Sequence, residues 1–266
     1  RSVCDLAWGF HQCCVSERMK KYFTFVTPFG TYCYNRLVMG FINATAEFQR
    51  AVNHTMGDSL WRCAAVMVDD VIIASAGTSQ HLADLEEVFS KLAARHHSVK
   101  PKKVRFLQEE VEYLGRISTE EGIKITPRHK SAVADMPYPL NPDGSVDVTS
   151  LRSGVGLFKF CRQHIPRCAW MCVPLNELTT KEGGQWGPLH SLCWDALKYF
   201  VIHGKGLYHI DYKKPIYVCT DGSKRGVGGY IYQKDGREER VCSCGAIGTA
   251  EAAGPDEGAE AGARAT

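Results

Sequence analysis

The chain has 266 residues, 44% of them hydrophobic and 23% charged, with a formal net charge of +3. That length and apolar content suffice for a sizeable core and for two or more domains, and the mildly basic balance permits a polyanionic partner without demanding one. No apolar stretch approaches the roughly 20 residues of a membrane-spanning helix, the N-terminus lacks a signal-peptide pattern, and the 12 cysteines include no CxxC pair. A membrane protein, a zinc knuckle and a disulfide framework are therefore not indicated, and buried thiols in a reducing intracellular compartment, cytoplasm or nucleus, are expected.

In chain order, the first segment reads as a strand ending near Asp5, beside Leu6 and ahead of Gly9 and Phe10. A hairpin is expected around Phe29-Gly30 and a helix over Ala44 to Met56. Then Val66-Met67-Val68-Asp69-Asp70-Val71-Ile72-Ile73 sets two acids inside an apolar run. Carboxylates are costly in a buried strand unless compensated, and a bound divalent cation is the commonest compensation. β-Branched residues on both flanks read as two strands, which puts the acids at the tip of a hairpin; the bland alternative is a solvated loop pair. A helix from Ser79 to His97 follows, with Ser79 as N-cap and Leu82, Leu85, Phe89 and Leu92 as core positions.

Arg95, His96, His97, Lys100, Lys102, Lys103 and Arg105 form a basic run, either a solvated face or a track for phosphates. Glu110 to Thr119 alternates like a strand pair. Pro127, Pro137, Pro139 and the Asn141-Pro142-Asp143-Gly144 turn break the chain before a helical stretch near Thr149, whose apolar stripe is Leu151, Val155, Phe158, Cys161 and Ile165. Gly183-Gly184 marks a linker, and residues 215 to 233 read as another hairpin, with Gly226-Val227-Gly228-Gly229 close to its turn. From Cys244 onward the composition drifts to Ala, Gly, Glu and Thr, so residues 244–266 are expected to be a disordered tail.

Asp5-Leu6-x-x-Gly9-Phe10-His11-Gln12 resembles the first catalytic motif of reverse transcriptases from gypsy-class LTR retrotransposons. The likeness continues in order through Phe25 to Gly30, Tyr34 to Leu37, Met39 to Arg50, the Met67 to Asp70 run and Val111 to Gly115, and Pro215 to Gln233 resembles the first hairpin of a ribonuclease H-like domain. Met67 stands where the family has Tyr or Phe, and Thr45 where a Pro is usual. The resemblance implies an α+β fold: a polymerase palm of antiparallel sheet with helices on one face over 1–123, its fingers missing, a helical thumb over 124–182, a connection over 183–214 and a partial ribonuclease H-like α/β domain over 215–243.

It also implies RNA-directed DNA synthesis by two-metal nucleotidyl transfer with Mg²⁺, or Mn²⁺ in its place. Asp5 and Asp69 would bridge the ions, the Leu6 carbonyl would serve one of them, and Asp70 would add negative potential. By the same resemblance Phe10 lies beneath the incoming sugar, where its ring would exclude a 2′-hydroxyl, while Met39, Gly40 and Gln49 line or support the nucleotide pocket. Leu114 and Gly115 would position the primer terminus, and Lys100, Lys102, Lys103 and Arg105 would track the duplex backbone. Asp221 is the one acid that matches the ribonuclease H pattern, and one acid cannot hold two metals. The implied partners are an RNA or DNA primer–template, deoxynucleoside triphosphates and the rest of a Pol polyprotein, with little activity expected of the bare chain. The alternative is a remnant that only binds nucleic acid or a partner chain.

Overall fold

The computed structural model describes residues 1–180, 183–223 and 226–248, with backbone alone at 221–223, 226–227 and 245–248. The chain clusters into two compact units, Arg1–Ser118 and Thr119–Thr266, so the first division falls slightly before residue 123.

The first unit runs β1 (Ser2–Asp5), α1 (Gly9–Gln12), α2 (Glu17–Lys20), β2 (Thr24–Thr27), β3 (Gly30–Cys33), α3 (Ala44–Met56), β4 (Ala64–Met67), β5 (Asp70–Ile73), α4 (Thr78–Ala94), β6 (Val111–Tyr113) and β7 (Arg116–Ser118). Its central sheet has the order β1-β5-β4, antiparallel throughout. The other edge of β1 is covered by the basic run, where Lys100 N donates to Asp5 O at 2.8 Å and Arg105 N to Val3 O at 3.0 Å. Leu6, Val66, Val71 and Ile73 bury their side chains with Phe48, Val52 and Met56 of α3 and with Val88 and Leu92 of α4. This period-two burial on the strands fixes the register, because a one-residue slip would turn the apolar set outward.

Helix α4 starts at Thr78 after Gly77, one residue before the expected cap at Ser79. Its buried face runs through His81, Asp84, Leu85, Val88 and Leu92, whereas Leu82 is 53% exposed, correcting its place in the core stripe. The helix is rotated toward polar partners. The Ser2 hydroxyl meets His81 Nε2 at 2.7 Å, Ser75 Oγ donates to Asp84 Oδ2 at 2.5 Å, and Arg62 donates to Asp84 Oδ1 at 3.2 Å.

The second unit holds β8 (Gly122–Ile125), α5 (Pro127–Ala134), α6 (Val148–Phe160), α7 (Cys168–Glu177), α8 (Pro188–His203), β9 (Leu207–Tyr208), β10 (Tyr217–Ser223), β11 (Gly226–Asp235) and β12 (Glu238–Gly248). Pro127, expected to break the chain, instead opens α5 at its first turn, with the Thr126 hydroxyl accepting from His129 N. Asp147 caps α6 in the same way, accepting from Thr149 N and Ser150 N. The stripe Leu151, Val155, Phe158, Cys161 and Ile165 is buried as expected, against Leu175 of α7 and Trp194 and Leu197 of α8. Trp194 meets Phe158 edge-on at 5.1 Å and lies over Gly154, where a Cβ would collide with the indole.

Helix α7 lies within the stretch 124–182 expected to be helical, whereas α8 falls in the stretch 183–214, where no helix was expected. The hairpin over 215–233 forms as β10–β11, with Asp221 opposite Gly228, and the Asp221 side chain lies outside the described residues. Strand β12 continues to Gly248, paired there with Gly226, so residues 244–248 are strand and not tail, held by the backbone ladder. Residues 249–266 of the expected tail lie outside the described residues. No helix among the described residues is long and apolar enough to cross a membrane.

Candidate active site

The two acids stand at the tip of the β4–β5 hairpin. Met67 pairs with Asp70, which leaves Val68 and Asp69 as a two-residue loop. Such a loop needs positive φ, and Val68 adopts φ 56. A β-branched residue in that region costs about 1–2 kcal/mol, so the turn must be held from outside. Gln49 of α3 holds it: its Oε1 accepts from Val68 N at 2.6 Å, while its Nε2 donates to Asn53 Oδ1 at 2.8 Å and to Val66 O at 3.2 Å. On the other side, Leu6 N donates to Asp69 O at 2.8 Å, and the strand register sets Asp5 directly opposite Asp70. Three acids from two distant segments therefore meet at one end of the sheet.

Their electrostatics differ. Asp5 is ion-paired through both oxygens, to Lys100 at 2.5 Å and Lys103 at 2.7 Å, with a side chain 16% exposed. Burial alone would raise its carboxyl, but the hydrogen bonds and charges of the two lysines outweigh it and hold the group below the usual carboxylate range. Asp69 is the reverse case. Its Oδ1 is buried without a hydrogen-bond partner among the described residues, and burial first, then the Asp5 and Asp70 charges, push its carboxyl up. A Cβ at Gly9 would collide with that oxygen and with the Phe48 ring, so only glycine leaves the space Asp69 occupies. Asp70 is raised too, by desolvation and then by Asp5.

Oxygen donors of this kind suit a hard divalent cation. Among the described residues no group of three or more His, Cys, Asp and Glu side chains is arranged to hold a metal, and both Asp5 oxygens already bind ammonium groups. Asp5 and Asp70, opposite each other in the register, and Asp69 at the adjoining tip are carboxylates of the kind such an ion takes, and the Asp69 oxygen without a partner lies against Gly9 and Phe48.

Of the expected pocket residues, Gln49 supports the hairpin, and Phe10 packs half-buried on Phe48 with ring centroids 5.1 Å apart. Met39 is 55% exposed and Gly40 takes φ 82; no hydrogen bond among the described residues ties either to the carboxylates. Leu114 and Gly115 form the two-residue turn between β6 and β7, at φ 51 and 71, the sign pattern of a type I′ turn. The neighbouring Tyr113 reaches toward Ala65 O and Asp70 O at 3.4 and 3.5 Å, and burial together with the Asp70 charge pushes its phenol up to about 12. The expected phosphate track is divided: Lys100 and Lys103 point at Asp5, while the side chains of Lys102 and Arg105 are exposed.

Gln12 had no role in the sequence reading. Its Oε1 accepts from Ser98 N at 2.9 Å and meets His97 Nδ1 at 3.1 Å, and its Nε2 donates to Ser98 O at 2.9 Å. It clamps the segment that delivers Lys100 to Asp5. Its place at the end of the first acidic motif was the available signal, but its partners lie far along the chain.

An antiparallel hairpin with acids at its tip, set beside an acid-terminated strand and packed on two helices, defines the palm of a nucleotide polymerase. Over 92% of its length the chain is similar to a foamy viral protease-reverse transcriptase in complex with double-stranded DNA, with TM-score 0.75 and 26% identity, covering 42% of that chain. The same viral protein in complex with an RNA/DNA hybrid also matches at TM-score 0.75, with 25% identity over 92% of this chain and 33% of that one. Residues 2–117 match the reverse transcriptase (RNA-dependent DNA polymerase) family.

Residues 2–117 thus carry a reverse transcriptase domain, and the similarity extends to retrotransposon Pol polyproteins. It is 31% identical over 231 residues to the retrovirus-related Pol polyprotein from transposon 297 of Drosophila melanogaster, covering 86% of this chain and 21% of the relative. To the Pol polyprotein from transposon gypsy of the same organism it is 29% identical over 243 residues, covering 86% and 23%. The chain thus spans about a fifth of the length of the curated relatives it matches.

Proposed function

We propose that the chain carries the catalytic palm for RNA-directed DNA synthesis within a Pol-type polyprotein, with Mg²⁺ as its ion and Mn²⁺ able to replace it. The observation that supports this best is the register Asp5 opposite Asp70, with Asp69 at the adjoining tip. Bound divalent ions would supply activation of the primer 3′-hydroxyl and stabilisation of the leaving pyrophosphate. Asp5, Asp69 and the Leu6 carbonyl are the residues that would hold them, with Asp70 adding negative potential. Gln49 and Gly9 keep Asp69 in place. Phe10, backed by Phe48, forms a wall under the nucleotide sugar that disfavours a 2′-hydroxyl, and Met39 and Gly40 border the same pocket. The Leu114-Gly115 turn supports the primer terminus, Lys102 and Arg105 contact the duplex backbone, and α5 to α8 serve as thumb and connection. The substrates are a primer–template and deoxynucleoside triphosphates. The DNA and RNA/DNA complexes of the foamy viral relatives support that partner class.

The test is primer extension by a polypeptide that joins the finger segment of a gypsy-type relative ahead of Arg1. Asp69→Asn should lower the rate about 10³-fold or more, because the amide keeps the shape and loses the charge. A primer–template-binding polypeptide that extends equally well with Asn at that position would overturn the assignment.

A further inference from the structure

Both oxygens of the Asp5 carboxylate are engaged by the chain itself. Lys100 Nζ and Lys103 Nζ each take a separate oxygen, at 2.5 and 2.7 Å, and the backbone builds this contact: Lys100 N donates to Asp5 O at 2.8 Å, and the Gln12 amide grips Ser98 just upstream. Two ammonium groups on Asp5, at the end of the sheet where Asp69 and Asp70 also stand, place positive charge where a divalent ion shared by these acids would sit. Two lysines take about half of the roughly four lone-pair sites of the Asp5 carboxylate, so an ion coordinated there competes with them chiefly through the repulsion between like positive charges.

We propose that Lys100 and Lys103 are exchangeable counter-ions of Asp5: a divalent ion must displace them to bind, and a nucleic-acid phosphate backbone, by drawing the same lysines away, favours that displacement. The inference rests on the metal reading above and adds to it a coupling between duplex and metal. The coupling is reciprocal, since whatever holds the lysines off Asp5 raises metal affinity and bound metal frees the lysines for phosphate. Lys102 and Arg105, exposed in the same run, provide a phosphate contact that leaves Asp5 untouched, so the run divides into a constant part and a switched part.

Mn²⁺ binding to the 266-residue chain, followed by the electron paramagnetic resonance of the free ion, tests this. The double substitution Lys100→Met with Lys103→Met keeps the apolar stems and removes both competitors. It should bind Mn²⁺ about tenfold tighter or more than the natural chain, a difference of about 1.4 kcal/mol. A short primer–template duplex, with its own Mn²⁺ binding measured separately, should raise the affinity of the natural chain and leave that of the double variant unchanged. As a measurement independent of any variant, the slowly exchanging side-chain ammonium ¹⁵N signals of Lys100 and Lys103 should shift on addition of diamagnetic Mg²⁺.

Unchanged or weaker Mn²⁺ affinity in a folded double variant, or lysine signals indifferent to Mg²⁺, would overturn the exchange. Asp69→Asn separates the two readings. If it abolishes Mn²⁺ binding while the lysine substitutions change nothing, the exchange alone fails; if no form of the chain binds Mn²⁺, the metal reading fails and the exchange falls with it.

Discussion

The two units bury their interiors on different terms. The second closes over an interlocked helical core in which Phe158, Trp194, Leu175 and Leu197 are fully covered and the sulfur groups of Cys161, Cys168, Cys172 and Cys193 act as small apolar fillers. The first buries comparable aliphatic surface and also takes His81 and Asp84 out of water, with Arg62, Glu87, Ser59 and Lys91 chained to them along α4. Charge inside a fold is tolerated where partners surround it. The same rule accounts for the site: Asp5 is satisfied by lysines, and the Asp69 oxygen is the acceptor left without a partner. The second unit also buries polar groups, His164 and Gln233 among them, but a carboxylate is taken out of water together with a histidine, Asp84 with His81, in the first.

The largest effect expected from this contrast is in the apolar core. Phe158→Ala removes the ring that meets Trp194 edge-on and should cost about 3–5 kcal/mol, read from urea unfolding. Hydrogen exchange should locate the loss in residues 119–248; equal loss of protection in the first unit would erase the distinction between the two.

Asp84→Asn should cost about 2 kcal/mol, because the amide has a single accepting oxygen and cannot accept from Ser75, Gln80 and Arg62 together, while Arg62 keeps its pair with Glu87. A near-neutral result would show that the first unit is also held mainly by packing.

Acid sharpens the same contrast. Burial holds His81 below its ordinary 6.5, and hydrogen bonds from Lys91, Ser59 and Arg62 bring Glu87 to about 2 from 4.5. For both groups the unfolded chain binds the proton first. The stability they contribute is complete above pH 6.5, falls through that value as His81 is forced to charge, and falls further below 4.5 as Glu87 protonates. Residue-resolved urea unfolding at about pH 7 and about pH 5 should show the first unit weakening ahead of the second. The opposite order would sink the assignment of these groups.

The smallest effect concerns a turn. Leu114 sits at φ 51, and Leu114→Gly should relieve strain and stabilise the β6–β7 hairpin by up to about 1 kcal/mol in thermal unfolding. A loss of stability would mean that the leucine side chain packs more usefully than its backbone suffers.

Much of the arrangement around the candidate site was legible in order along the chain. β-Branched flanks around Asp69-Asp70 made the hairpin readable because strand preference and tip acids are local properties, and the motif around Asp5 named its partner strand. The stripe from Leu151 to Ile165 was readable for the same reason, since helical periodicity needs no distant information. Local pattern misled at Leu82, where the helix turned its polar residues inward to partners contributed by Ser2, Ser75 and Arg62. It misled again at Pro127, where a breaker is also a good first residue of a helix.

Sequence alone therefore determined which acids could matter and that the segments carrying them, β1, β4 and β5, would be strands. Tertiary structure alone decided that Gln49 props the Val68 turn, that Gly9 makes room for Asp69, that Gln12 clamps Ser98, and that Lys100 and Lys103 pair with Asp5. The physical reason is separation along the chain: hydrogen bonds and ion pairs act over about 3 Å in space, and nothing in local composition records which distant residues the fold will bring within that distance.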